Sequence, residues 1–193
     1  MKDRHDRGGL EMLHQIVRRI YRRWLEPDLV GELKKRGLTV GTHFKMMKGV
    51  IIDWSHCHHI TIGDDVTMAP NVHILAHDAS TQSHLGYVRI GKVDIGDRVF
   101  IGAGSIVLPG VRIGNNVVIG AGSVVSRDVP DNVVACGNPA RITSSVEQWM
   151  EKRSQELKAG PCFGEEYSVR HAITPSMRNE MNAKMVTRIG FIV

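Results

Sequence analysis

The chain has 193 residues, which allows one domain with appendages, and its apolar (42%) and charged (23%) shares are those of an ordinary soluble protein. Its net charge is +5, but ten Lys/Arg against six Asp/Glu fall in residues 1–36, so the body is near neutral. No apolar run long enough for a membrane helix is present, no apolar signal region opens the chain, and the basic residues are not interleaved with stacking aromatics as in a nucleic-acid groove. Cys57, Cys136 and Cys162 are an odd number without framework spacing and read as reduced thiols of a cytoplasmic protein. What needs explaining is how 20 glycines and only 5% aromatic residues build a core.

Residues 1–37 read as a helical segment. Leu10, Leu13, Val17, Ile20 and Trp24 recur at three- and four-residue spacing and predict a helix over 9–25, with Arg18, Arg19, Arg22 and Arg23 largely off the apolar stripe. Pro27 breaks it and suits the start of a second helix, 28–36. The segment is expected to cap the body or a neighbouring subunit; loose contact with an anionic membrane surface is the alternative.

From Val40 the period becomes six. Between 95 and 130 the hexads are IGDRVF, IGAGSI, VLPGVR, IGNNVV, IGAGSV and VSRDVP. Ile95, Ile101, Val107, Ile113, Ile119 and Val125 hold the first positions; Val99, Ser105, Val111, Val117, Ser123 and Val129 hold the fifth. Earlier blocks begin at Val40, Met46 and Ile52, then at Ile62, Met68 and Ile74, with a four-residue slip before Ile62. A six-residue period excludes helix and fits short strands joined by tight turns, where Gly and Asn accept backbone angles that bulkier residues resist. Three hexads make one triangular coil, and stacked coils pair strand on strand. The expected fold is an all-β solenoid whose core is a column of small aliphatic side chains.

Between Ile74 and Ile95 the spacing is not a multiple of six, so residues of ASTQSHLGYVRIGK must loop out. Beyond Ile142, residues 143–193 read as a helical extension. Ser144 or Ser145 caps a helix over 146–158 with Trp149 and Leu157 on its apolar face. Thr174-Pro175 opens another over 175–186, with Met177, Met181 and Met185 packed on the body, and VTRIGFIV forms a final strand or docked tail.

The stretch IGDRVFIGAGSIVLPGVRIGNNVVIGAGSVVSRDVPDNVVACGNPARI, 95–142, resembles the hexapeptide-repeat acyltransferases, and among them the maltose/galactoside O-acetyltransferase branch with the O-acetyltransferases of bacterial polysaccharides. The match runs from about Val40 to Ile142. It implies a left-handed parallel β-helix over 38–142, a homotrimer, and acetyl-CoA as co-substrate with no metal required.

Five histidines lie between 56 and 77: His56, His58, His59, His73 and His77. The resemblance makes His77, in ILAHDAST, the general base. A neutral imidazole suits that task, since an alcohol attacks a thioester well only if its proton leaves as the bond forms. The partner that orients His77 is left open between a carboxylate and a backbone carbonyl. Asp78 is adjacent, but in hexad register it takes an inward fifth position unless the loop has broken register. Asp53 matches an acidic residue of the family's acceptor pocket. His59, three hexads before His77, is expected one coil lower on the same edge; with His58 it lines the acceptor pocket or simply covers the flank. An asparagine of the galactoside branch is replaced near Lys48, which argues for a more acidic acceptor sugar.

By the same resemblance, Ala103, Ala121, Ser126, Arg127 and Arg141 lie along acetyl-CoA between subunits, and Phe100 stands where a tryptophan is common. The acceptor is then a hydroxyl of a sugar or surface polysaccharide; N-acetylation of a nucleotide-linked amino sugar or antibiotic-like acceptor is the alternative. The fold also carries zinc carbonic anhydrases, but their two histidines five residues apart are absent here. Cys57 and Cys136 have no evident activating base, so a covalent thiol route is not expected.

Overall fold

The computed structural model describes residues 29–193, apart from 169 and 187. The helix expected over 9–25, and its membrane alternative, lie outside the described residues. The second expected helix, 28–36, is α1 (Leu29–Lys35). Short strands then form three sheets. Sheet A holds β1 (Thr39–Val40), β4 (Ile60–Ile62), β9 (Val93–Ile95) and β12 (Arg112–Ile113). Sheet B holds β2 (Lys45–Met46), β5 (Thr67–Met68), β10 (Val99–Ile101), β13 (Val117–Ile119), β15 (Val133–Cys136) and β16 (Arg141–Ser145). Sheet C holds β3 (Ile51–Ile52), β6 (His73–Ile74), β11 (Ile106–Val107) and β14 (Val124–Val125). The chain visits A, B and C in rotation, and every pairing within them is parallel except β15 with β16. That order is a coil of parallel strands.

All twelve first- and fifth-position residues between 95 and 129 are buried. Two of them are serines, and each is bonded inside the column: Ser105 Oγ and Ser123 Oγ donate to the Gly120 carbonyl at 3.0 and 2.6 Å. A buried hydroxyl without such a partner would be strongly unfavourable. The corner between sheets A and B is built on one conformation. His43, Asp65, Arg98, Asn116 and Asn132 take the same left-handed position in successive coils, with φ between 54° and 61°. Beside them runs a ladder of side-chain oxygens accepting from the backbone: Asp64 N–H donates to Asp97, Asp97 N–H to Asn115 and Asn115 N–H to Asp131, each at 2.8 Å.

The ladder register shows where the coil is interrupted. Ile52 pairs with Ile74, Ile74 with Val107, and Val107 with Val125. Only the last of these steps equals three hexads. The first two coils are longer, and in both the extra residues follow the sheet C strand. Two insertions, 53–59 and 75–92, thus leave the same corner on successive coils. The first contains a 3-10 turn, Cys57–His59. The second contains β7 (His77–Asp78) and β8 (Arg89–Ile90), an antiparallel pair, with α2 (Gln82–Leu85) between them. Leu33 of α1 is fully buried in the core, and Cys57 Sγ lies 3.6 Å from the Leu33 carbonyl, so α1 packs on the first insertion.

After β15 the chain turns back as β16 and enters α3 (Val146–Ala159), where Ser145 accepts from Gln148 N–H and Gln148 reaches back to Ser145 N–H. Trp149 is half-buried, but Leu157 is exposed and no residue of this helix is buried. Its expected apolar face is therefore incomplete, although the helix meets β15 and β16. α4 (Pro175–Lys184) is capped by Thr174, and Met177, Met181 and Met185 are half-buried. The tail ends in β18 (Phe191–Ile192), parallel to β17 (Cys162–Phe163). Among the described residues no helix is long and apolar enough to cross a membrane.

Candidate active site

The two insertions meet at Asp53 and His77. Asp53 is 4% exposed, and its carboxylate accepts five hydrogen bonds. Oδ1 takes Ser55 N–H, Ser55 Oγ–H and His56 N–H at 3.0–3.1 Å. Oδ2 takes Ala76 N–H at 2.9 Å and His77 Nδ1 at 2.5 Å. Burial alone would raise the Asp53 pKa. The hydrogen bonds from His77, Ala76, Ser55 and His56 outweigh it and bring the value down to about 2. At neutral pH Asp53 is therefore a carboxylate that can only accept, so Nδ1 carries the proton. In neutral His77 this leaves the Nε2 lone pair free, and no described residue bonds to Nε2. The side chain is 36% exposed, enough to reach a molecule at the corner.

The Asp53 oxygens therefore hold the imidazole and the insertion backbone, which makes Asp53 the carboxylate partner of His77. The lengthened first coil is the reason, because it brings 53–56 under His77. For the same reason His59 is not one coil below His77. It ends the 3-10 turn just before β4, its ring 4.1 Å from that of His58. His56, not singled out from the sequence, is the ring beside His77, with centroids 4.8 Å apart. Asp78 is half-buried rather than inward. Its carboxylate accepts Ser80 N–H at 2.9 Å, which holds its pKa low, so it shapes the loop and does not orient His77. The loop breaks register earlier than hexad counting implies, with Ala76 the buried residue. Lys48 lies at the opposite turn, between β2 and β3, away from this corner.

Asp53, His56 and His77 also bring three potential metal-ligand atoms within 4.8 Å of one another. One carboxylate and two histidines differ from the three histidines of the anhydrase site, and here the carboxylate is already engaged by five donors.

Residues 92–127 match the family model of the bacterial transferase hexapeptide (six repeats). Protein CapG of Staphylococcus aureus is 37% identical over 148 residues, covering 72% of this chain and 83% of that protein. The chain belongs to the bacterial transferase hexapeptide family. A solved structure, a maltose O-acetyltransferase from Clostridium difficile, is 32% identical with a TM-score of 0.50, covering 68% of this chain and 83% of that one. Another, a hexapeptide-repeat acetyltransferase of Vibrio cholerae complexed with acetyl coenzyme A, is 30% identical with a TM-score of 0.52, covering 57% and 61%. The chain spans 61% of the length of a curated acetyltransferase relative from Bacillus subtilis and about half of several others.

The residues that the hexapeptide family resemblance associates with the donor do not share one edge. Ser126 and Arg127 follow β14 at the sheet C to sheet A corner, two coils beyond His77. Ala103 and Ala121 stack at the sheet B to sheet C corner, where Gly122 N–H donates to the Ala103 carbonyl at 2.8 Å. Phe100 projects from sheet B, 44% exposed, and Arg141 opens β16 with its guanidinium on the Ala140 carbonyl. All six are exposed. One chain therefore presents His77 on one edge and the small-residue track on another.

Proposed function

We propose that the protein transfers an acetyl group from acetyl-CoA to a hydroxyl of a sugar or surface glycan, with His77 as general base. The observation that carries this reading is the Asp53–His77 bond, which fixes the protonated nitrogen and turns a basic one outward. The thioester of acetyl-CoA supplies the activated acetyl carbon. His77 Nε2 takes the hydroxyl proton as the acceptor oxygen bonds to that carbon, and returns it to sulfur as the carbon–sulfur bond breaks. Asp53 stabilises the imidazolium formed between these events. Ala76 N–H and Ser80 N–H are already bonded to Asp53 and Asp78, so neither is the donor to the developing oxyanion.

Small exposed Ala103 and Ala121 suit close approach of the pantetheine arm, and Arg127 and Arg141 suit phosphates. Because Ala103 and Ala121 lie on a different edge from His77, the reading includes side-by-side packing of left-handed β-helices as a homotrimer, which would bring one copy's His77 edge to a neighbour's track. The outward row of sheet C supports it: Ile51, His73, Ile106 and Val124 stand in register, whereas sheet A presents Thr39, Thr61, Asp94 and Arg112.

The test is a panel of glycosides with acetyl-CoA, followed by thiol release and by the alkali lability of the product. Alkali-labile product on a hydroxyl acceptor is expected; alkali-stable product confined to amino sugars would move the reaction to nitrogen.

A further inference from the structure

Outside the His77–Asp53 pair, the most unusual grouping on the molecule is a cationic, aromatic rim on the same corner. Trp54 follows Asp53 and is 46% exposed. The Arg36 guanidinium lies 4.1 Å from its ring centroid. The chain just beyond α1 presses on the first insertion, since a Cβ placed on Gly37 would lie 2.8 Å from His58 Cβ. His58 and His59 continue the rim with their rings 4.1 Å apart. Lys92 adjoins them, because Ile60 pairs with Val93 and so sets His59 beside Lys92. Neither Arg36 nor Lys92 forms an ion pair among the described residues. The nearby acids are ionised and hydrogen-bonded within the insertions: Asp53 is buried on His77, and Asp78 holds Ser80 N–H opposite Arg89 across the β7–β8 hairpin.

We propose that the acceptor is a carboxylate-bearing sugar, stacked on the face of Trp54 that Arg36 leaves open, with its carboxylate toward Lys92 and the Arg36 charge behind the ring. This rests on the acetyl-transfer reading above. An indole face suits the C–H face of a pyranose, and a cation on the opposite side of the ring anchors it. Lys92, a cation without an acidic partner among the described residues, gains a charge-assisted hydrogen bond from a carboxylate and nothing comparable from a neutral hydroxymethyl group, and the Arg36 charge behind the indole adds to the attraction. The rim is continuous through residues 53–56 with the backbone that holds His77, so a sugar seated there lies beside the base.

The experiment uses matched methyl glycosides of glucose and glucuronic acid, and of galactose and galacturonic acid. Binding is measured by calorimetry on the full chain carrying His77→Ala, and turnover on the wild-type chain. The uronic member of at least one pair should bind and turn over roughly tenfold better or more. Arg36→Gln and, independently, Lys92→Gln should shrink that ratio toward one, with the change in KM for the acidic acceptor. Equal use of both members, preference for the neutral one, binding of neither, or a loss confined to KM for acetyl-CoA would overturn the proposal. Uronic-selective binding without any acetyl transfer would sink the transfer reading and leave the rim as a binding site for a carboxylate-bearing sugar that is not an acceptor. Transfer without charge preference would do the reverse.

Discussion

Asp53 and His77 illustrate how a carboxylate can stay ionised while buried. Five donors surround its two oxygens, and their sum exceeds the desolvation that burial imposes. Two outcomes follow for Asp53→Asn. Turnover should fall roughly 10²-fold or more, because an amide no longer fixes the tautomer that leaves Nε2 basic. Acid sensitivity should also change. The pKa of Asp53 is about 2 in the folded chain against an ordinary 3.8, so the unfolded chain takes up the proton first. Its stabilisation is complete above the ordinary value and is lost as pH falls toward 2. Urea midpoints between about pH 5 and pH 2.5 should drop less steeply for Asp53→Asn than for the parent; equal slopes would contradict this. His77 was singled out through the family resemblance carried by ILAHDAST, at the place where the repeat breaks. The office of Asp53 was not, because counting in whole hexads misses a coil that is longer than three of them. The slip before Ile62 was the available signal, and following it through would have placed residues 53–56 beneath His77.

At the scale of elements, a hexad is a strand and a corner, and each corner tolerates little addition. A Cβ on Gly96 would lie 2.9 Å from the Gly114 carbonyl carbon and oxygen in the next coil and 2.6 Å from Asn115 Oδ1. Backbone cannot yield as a side chain can, so Gly96→Ala should destabilise by about 1–3 kcal/mol, measured by denaturant unfolding. An unchanged midpoint would mean that the coils slide to accommodate it. The coil itself was plainly written: first and fifth positions alternate inward, and every one between 95 and 129 is buried. Helix starts were legible where Ser145 and Thr174 cap them. The covering of α3 was not, since a local apolar stripe does not say whether anything packs on it. Trp54 and Arg36 were likewise invisible, because their contact depends on α1 folding onto an insertion from a later part of the chain.

For the whole molecule, glycine and small aliphatics explain each other. The column is too narrow for rings, so aromatic side chains such as Phe100 and Trp54 stay on the outside, where they are available to ligands. The same geometry makes a single column a poor cleft, because its edges are convex and its faces flat. The apolar outward row on sheet C is the face expected to close against a second copy. Ile106→Lys should then give a monomer by sedimentation and lose transfer while keeping its β-sheet circular dichroism; a fully active monomer would show that one chain holds a complete site. The reaction proposed is acetyl transfer driven by the imidazole that Asp53 holds. Its most direct measurement is turnover of acetyl-CoA on the best acceptor by the parent and by His77→Ala at equal folded concentration. A loss of about 10²- to 10⁴-fold in kcat is expected. Parent-level turnover by His77→Ala would contradict it.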